Sequence, residues 1–307
     1  MTIVSTSTSA FYERSRANMK DLRSQAETLQ AQLSSGQKLT RSSDDPVAAS
    51  RLRALSRLEA LSEIDTANYD RASSDLSLAD AAMSDMADAI IRAKELALQA
   101  SNSATTADQR KAIGTELQQI HSNLLALSNA RDSNGHALFG GESAGDAYSL
   151  DAAGNAVYVG TATTSDLPIG EGQTVTRSMT GPEFLDFPDG SGGTTNAMAT
   201  IKALSDALLG GSATPAAAAQ GALADLQTGL DSLTTGQTVI GTRLAWLEVT
   251  AERRTDQSEL RSTEEADLGS TDLASTVARL QETLTVLEAS QASFTKLANL
   301  SLFDNLN

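Results

Sequence analysis

The sequence predicts a mainly α protein: an elongated helical bundle with paired N- and C-terminal coiled-coil helices and a small β-rich insert. Three observations predict it. Apolar residues recur about every 3.5 residues through most of the 307-residue chain. The two ends carry opposite charge: residues 1–60 hold 9 Lys/Arg against 6 Asp/Glu, and residues 255–307 hold 3 against 9. One central stretch, 133–196, breaks the period and gathers 12 of the 21 Gly and 3 of the 5 Pro.

The first helix follows from Met19, Leu22, Ala26, Leu29 and Leu33, spaced alternately three and four, and should stop near Gly36. A polar loop, Lys38–Asp45, comes next. Ser43 or Asp44 is placed to cap a second helix that has Pro46 in its first turn, where a missing N–H costs nothing. That helix should run to about Ser101 on the seam Ala72, Leu76, Ala79, Met83, Met86, Ile90, Ala93, Ala97 and Ala100. A third, from about Thr106 to Arg131, is built on Ile113, Leu117, Ile120, Leu124 and Leu127 and should lie antiparallel to it.

In 133–196 the short runs Ala147–Leu150, Ala156–Val159 and Thr174–Arg177 read as strands between turns. This segment holds 8 acids and one Arg, which predicts a largely solvated insert with a modest core. Helical period returns after Asn196, with Leu223, Leu226, Leu230, Leu233, Ile240, Leu244 and Leu247. The final helix reads Leu273, Val277, Leu280, Leu284, Leu287, Gln291, Phe294 and Ala298. The expected organisation is an N-terminal assembly segment (1–45), the helical bundle in two parts (46–132 and 197–268) around the β-rich insert (133–196), and a C-terminal assembly helix (269–307).

A single apolar seam on an isolated helix has nothing to bury against, and such helices are marginal in water. The terminal segments should therefore order on assembly. The candidate assembly interface is Met19, Leu22, Leu29 and Leu33 with Leu273, Val277, Leu280, Leu284, Leu287, Phe294, Leu302 and Phe303, and Ser43, Asp44, Asp45 and Pro46 form a loop and cap motif. Exposed charge pairs contribute about 0–1 kcal/mol each, so charge guides the pairing of the ends without driving it.

Composition narrows the function. With no Cys there are no disulfides, thiol nucleophiles or cysteine-bound metals. A net charge of −16 disfavours nucleic acid and anionic membrane surfaces as partners. No run approaches the roughly 20 apolar residues of a membrane span, and residues 1–12 lack the apolar stretch of a cleaved signal peptide. His121 falls one residue off its helix seam and reads as a surface side chain, and His136 sits in the Asn134-Gly135 turn. The adjacent acids Asp44-Asp45 and Glu264-Glu265 point in different directions and make no two-carboxylate site. Gly140-Gly141 and Gly190-Ser191-Gly192-Gly193 have no phosphate-loop lysine, and the loop Asp151–Asn155 has too few acids for calcium. No catalytic, cofactor or metal site is expected, and the chain reads as a structural subunit rather than an enzyme.

Four stretches carry a resemblance. Leu33-Ser34-Ser35-Gly36-Gln37-Lys38, followed by Ser42-Ser43-Asp44-Asp45-Pro46-Val47-Ala48-Ala49, resembles the N-terminal signature of the flagellin-like axial protein family. The Asp-Asp-Pro form is more similar to the hook–filament junction branch, the hook-associated protein 3 family. Asn134-Gly135-His136-Ala137-Leu138-Phe139-Gly140-Gly141 resembles that family's Asn-Gly-x-x-Leu-Phe-x-Gly turn. Tyr158-Val159-Gly160, Ile169–Gly172 and Gly181-Pro182-Glu183-Phe184 resemble its β region, although Thr161 stands where an acid is usual. Leu297–Leu306 resembles its Ser-Leu-Phe-Asp terminus.

The resemblance implies a flagellin-like fold and a structural role at the junction of hook and filament. It further implies an extracellular place in the bacterial flagellum, reached by type III export without a cleaved signal. The partners it implies are copies of the chain in a ring, hook-associated protein 1, flagellin and a flagellar export chaperone that masks the C-terminal helix. Two other readings stay open: a divergent flagellin, and a secreted binding module that uses residues 133–196.

Overall fold

A computed structural model describes residues 3–189 and 192–304, with side chains described from residue 10 through 297. The helices are α1 (Ile3–Ser35), α2 (Pro46–Ser101), α3 (Ala107–Ser128), α4 (Gly181–Leu185), α5 (Ala197–Asp206), α6 (Pro215–Gly269) and α7 (Leu273–Asp304). The strands are β1 (Tyr148–Leu150), β2 (Ala156–Tyr158), β3 (Asp166–Gly170), β4 (Gln173–Thr176), β5 (Asp186–Pro188) and β6 (Thr194–Asn196). They pair only as antiparallel ribbons, β1 with β2, β3 with β4 and β5 with β6. The chain divides into two compact units, one of Met1–Ala60 with Thr255–Asn307 and one of Leu61–Arg254.

In the Leu61–Arg254 unit, the α2 seam from Ala72 to Ala100 is buried at all nine positions named from the sequence. Leu117 and Leu124 of α3, Met198, Ile201 and Leu204 of α5, and Leu226, Leu233, Ile240 and Leu247 of α6 join it in the core. Thr106 opens α3 with a capping box: its hydroxyl accepts from Gln109 N, and the Gln109 side chain accepts from Thr106 N.

The β-rich segment shares this core. Phe139, Tyr148, Ile169, Val175, Phe184 and Phe187 belong to the same buried cluster as the helical seams. The aromatic rings need room, and α6 supplies it with glycine: a Cβ at Gly229 would sit 2.8 Å from the Phe187 ring, and one at Gly236 would sit 2.7 Å from Phe184 Cβ. The strand positions expected at 147–150, 156–159 and 174–177 correspond to β1, β2 and β4. Strands β3, β5 and β6 had no counterpart in the sequence reading.

One expectation is corrected here. His121 is buried, not on the surface, and its Nε2 has no hydrogen-bond partner among the described residues. The reason is that α3 has two neighbours. Its 3.5-residue seam enters the core cluster shared with α2 and α6. A second stripe (Gly114, His121, Ser128) faces α5, where Ser205 Oγ donates to Gly114 O at 2.7 Å and Ser128 Oγ lies 3.7 Å from Met198 Sδ.

Burial, with the Lys202 ammonium nearby, holds the His121 imidazole below its ordinary pKa, against a smaller opposing pull from Asp206. The sign follows. The unfolded chain takes up a proton near pH 6.5 and the folded chain only at lower pH, so stability is intact above that value and erodes below it. Urea unfolding at pH 7.5 and pH 5.5 should show His121→Leu losing less stability on acidification than the parent. An equal loss in both would discard this account.

Candidate assembly interface

The terminal helices belong to the other unit. There α1 and α7 pack on each other. The inward stripe of α1 is Tyr12, Ser15, Met19, Leu22, Ala26, Leu29 and Leu33, the spacing read from the sequence. Tyr12 meets Phe294 edge to face, with ring centres 5.3 Å apart.

On α7 the inward stripe is Thr276, Leu280, Thr283, Leu287, Ser290 and Phe294. Half of this differs from the seam expected from apolar residues alone. Leu280, Leu287 and Phe294 do face α1, whereas Val277 and Leu284, each one residue past the stripe, and Leu273 are exposed. Small residues explain the choice. Thr276 and Ser290 are small enough for close approach, and Thr283 satisfies its hydroxyl by donating to Arg279 O at 2.7 Å within its own helix. A methyl group is then left for packing. Leu302 and Phe303 lie outside the residues with described side chains.

The α1–α7 contact is shallow. Ala26 is the one fully buried residue of the described α1 side chains, and Thr276 is its counterpart on α7. A groove of about 350 Å³ between the two helices is lined by Phe11, Met19, Val286, Phe294 and Leu297. Both outer faces carry mixed charge: α1 exposes Arg14, Arg16, Lys20 and Arg23 with Glu13, Asp21 and Glu27, and α7 exposes Arg279 and Lys296 with Glu282 and Glu288.

The connectors at the base of this pair are tied together. Lys38 N donates to Gly269 O at 2.7 Å and Thr271 N donates to Gly36 O at 2.9 Å. Gly36 closes α1 at φ +70°, a conformation open to glycine at little cost. Asp45 caps α2, correcting the assignment to Ser43 or Asp44: its Oδ1 accepts from Val47 N at 3.1 Å and Ala48 N at 3.0 Å. Asp44 instead closes the loop, accepting from Arg41 N at 2.8 Å and from the Thr40 hydroxyl at 2.9 Å. The Arg41 N–H first, and then the Thr40 hydroxyl, hold its carboxyl below the ordinary range. Pro46, next to the cap, begins α2. Further along, Arg51 grips Glu264 with two hydrogen bonds of 2.5 and 2.7 Å. The sequence reading missed this tie between connectors, and the paired helix-ending glycines Gly36 and Gly269 were the available signal.

Among the described residues, no group of three or more His, Cys, Asp or Glu is arranged to hold a metal, and no helix is long and apolar enough to cross a membrane.

Comparison with known proteins bears on what this pair of helices belongs to. Residues 6–144 match the family model of the bacterial flagellin N-terminal helical region. The chain is 30% identical to flagellar hook-associated protein 3 of Escherichia coli K12, over 97% of this chain and 98% of that protein. It is 26% identical to the Salmonella typhimurium protein of the same name, over 97% and 98%. In structure it is similar to a flagellar hook-associated protein from Vibrio parahaemolyticus, with TM-score 0.67 and 22% identity, covering 74% of this chain and 100% of that one. It is also similar to hook-associated protein 3 from Legionella pneumophila, with TM-score 0.64 and 17% identity, covering 70% and 98%. The sequence relationship runs the length of both chains and so takes in the tied connectors and the paired terminal helices: the chain belongs to the flagellar hook-associated protein 3 family.

Proposed function

We propose that this protein is a structural subunit of the bacterial flagellum that joins hook to filament, exported by the flagellar type III system and assembled through its terminal helices. The observation that carries this reading is the end-to-end relationship to flagellar hook-associated protein 3, together with a terminal helix pair that leaves an apolar row uncovered. The partners are further copies of the chain in a ring, hook-associated protein 1 on one side, flagellin on the other, and an export chaperone on α7 before secretion.

The exposed row Leu273, Val277 and Leu284 on α7 is the surface for a neighbouring subunit. The inward residues Met19, Leu22, Leu29, Leu33, Leu280, Leu287 and Phe294 set the helix pair that presents it. The contact is α1 of one copy lying on the exposed apolar row of α7 of the next. That is a head-to-tail contact, of the kind that closes into rings. The shallow burial of α1 and α7 supports ends that gain much of their order on assembly.

A ligand-binding role for residues 133–196 is not favoured, because Phe139, Phe184 and Phe187 are committed to the core.

The test is a strain lacking this protein. It should make hooks and release flagellin as monomers without building filaments, and a plasmid copy should restore them. Filaments that elongate normally in the deletion strain would overturn the reading.

A further inference from the structure

Apolar burial does not extend to the ends of the Leu61–Arg254 unit. Between 61 and 71 no residue of α2 is buried, and Leu61 and Ile64 are exposed. On α6 the buried seam stops at Leu247 and Thr250, and Val249 faces solvent. Two long helices side by side with no buried apolar seam have little to hold these turns together.

The β3–β4 hairpin occupies this stretch. Its inner residues Ile169 and Val175 are anchored in the core. Its outer end is gripped from both sides. From α2, Asn68 Nδ2 donates to Pro168 O at 2.8 Å. Gly170 lies so close to Asp65 that a Cβ there would be 2.6 Å from Oδ2. From α6, Arg253 Nη2 lies 3.0 Å from Glu171 Oε2 and donates to Gln173 Oε1 at 3.1 Å. Arg243 Nη1 donates to Ser178 O, just past β4, at 2.8 Å. A second tie crosses the same turns directly, where the Arg254 guanidinium stacks 5.0 Å over the Tyr69 ring.

Glu171 and Gly172 form the turn between the paired Gly170 and Gln173, and a two-residue hairpin turn of this kind takes positive φ at both positions. Glu171 has φ +53°, and every other positive φ among the described residues belongs to glycine. Its neighbours Gly170 and Gly172 are glycines in that same region. A third glycine would relieve the strain, yet a carboxylate side chain stands there, and it reaches Arg253.

We propose that the β3–β4 hairpin is a strap. It binds α2 to α6 across turns that lack buried apolar contact, with the Glu171–Arg253 pair as its fastening. Releasing the fastening opens those turns while the rest of the unit stays folded. Both side chains are about half exposed, so the fastening is weak, reversible and sensitive to salt. This inference stands whether or not the protein sits at the hook–filament junction.

Amide hydrogen exchange on the full-length protein tests it, with Glu171→Gly and Arg253→Gln as separate variants. In both, exchange within 61–71 and 248–254 should accelerate about two- to fivefold, the scale of one exposed ion pair. Exchange within 76–100 and 113–128 should not change. Glu171→Gly is the sharper arm, because relieving the positive φ stabilises the turn itself and can loosen the helices only through the lost fastening. Salt at 1 M should loosen the parent in the same segments and leave Glu171→Gly unaffected. Unchanged exchange in those segments in both variants would overturn the proposal, as would uniform acceleration throughout the unit.

Discussion

Phe139→Ala should lower the unfolding free energy of the Leu61–Arg254 unit by about 3–5 kcal/mol, the range for emptying a fully buried aromatic site. Phe139 has no exposed surface, and its ring centre lies 5.0 Å from that of Phe184 in an edge-to-face arrangement. The site cannot easily collapse, because the turn that carries it is pinned. Asp132 Oδ1 accepts from Asn134 N at 2.8 Å and His136 N at 2.9 Å, Leu138 N donates to Ala130 O at 2.8 Å, and Gly181 N donates to Phe139 O at 3.0 Å. The surroundings cannot refill it either, since aromatics are only 4% of the chain and the facing helix seams are rich in Ala. Urea unfolding followed by circular dichroism reads the effect as a drop in midpoint. A loss below 1 kcal/mol would mean that the ring is peripheral to the core.

The largest functional effect should come from residues whose loss leaves the folded chain intact. Val277→Asp with Leu284→Asp changes two exposed side chains of α7. Surface changes of this kind shift stability by about 0.5 kcal/mol or less, so helicity and melting temperature should hold. If those side chains are buried between copies, each Leu or Val removed forfeits about 1.5–3 kcal/mol per contact, before the cost of burying the new charge. Introduced into the deletion strain, the double variant should restore fewer than about a tenth of the filaments that the parent restores, at equal secreted protein. Leu280→Asp is the contrasting change, because Leu280 faces α1 and its loss should lower helicity as well. Normal filament numbers with the double variant would remove this row from the interface.

Much of the helical layout was legible because it rests on one dominant partner per helix. The α2 seam was read position by position, and Pro46 and Ser101 mark its observed ends. Legibility failed where a helix has two partners, as in α3, since one period reports only one face and left His121 outside. It failed again on α7, where half of the inward stripe is Thr276, Thr283 and Ser290, residues that no count of apolar spacing includes. Strands β5 and β6 are three residues each, Asp-Phe-Pro and Thr-Thr-Asn, too short to show alternation. On the candidate interface, the α1 residues were found from spacing. The division of α7 into an inward and an outward row needed coordinates, because its apolar residues are split between two adjacent rows.

The tie between the two connectors has a consequence for biosynthesis. Its partners, Lys38 with Gly269 and Gly36 with Thr271, are separated by about 230 residues of chain. The entropy of closing so long a loop grows only logarithmically, so distance alone adds little to its free-energy cost. Time is the harder constraint. α1 leaves the ribosome more than 200 residues before α7, so at about 5–20 residues per second it waits tens of seconds for the helix it packs against. Throughout that interval the nascent chain carries a 33-residue amphipathic segment with its apolar stripe uncovered. The thinness of that stripe, built mainly on Met, Leu and Ala at helical spacing, limits the apolar surface exposed during the wait.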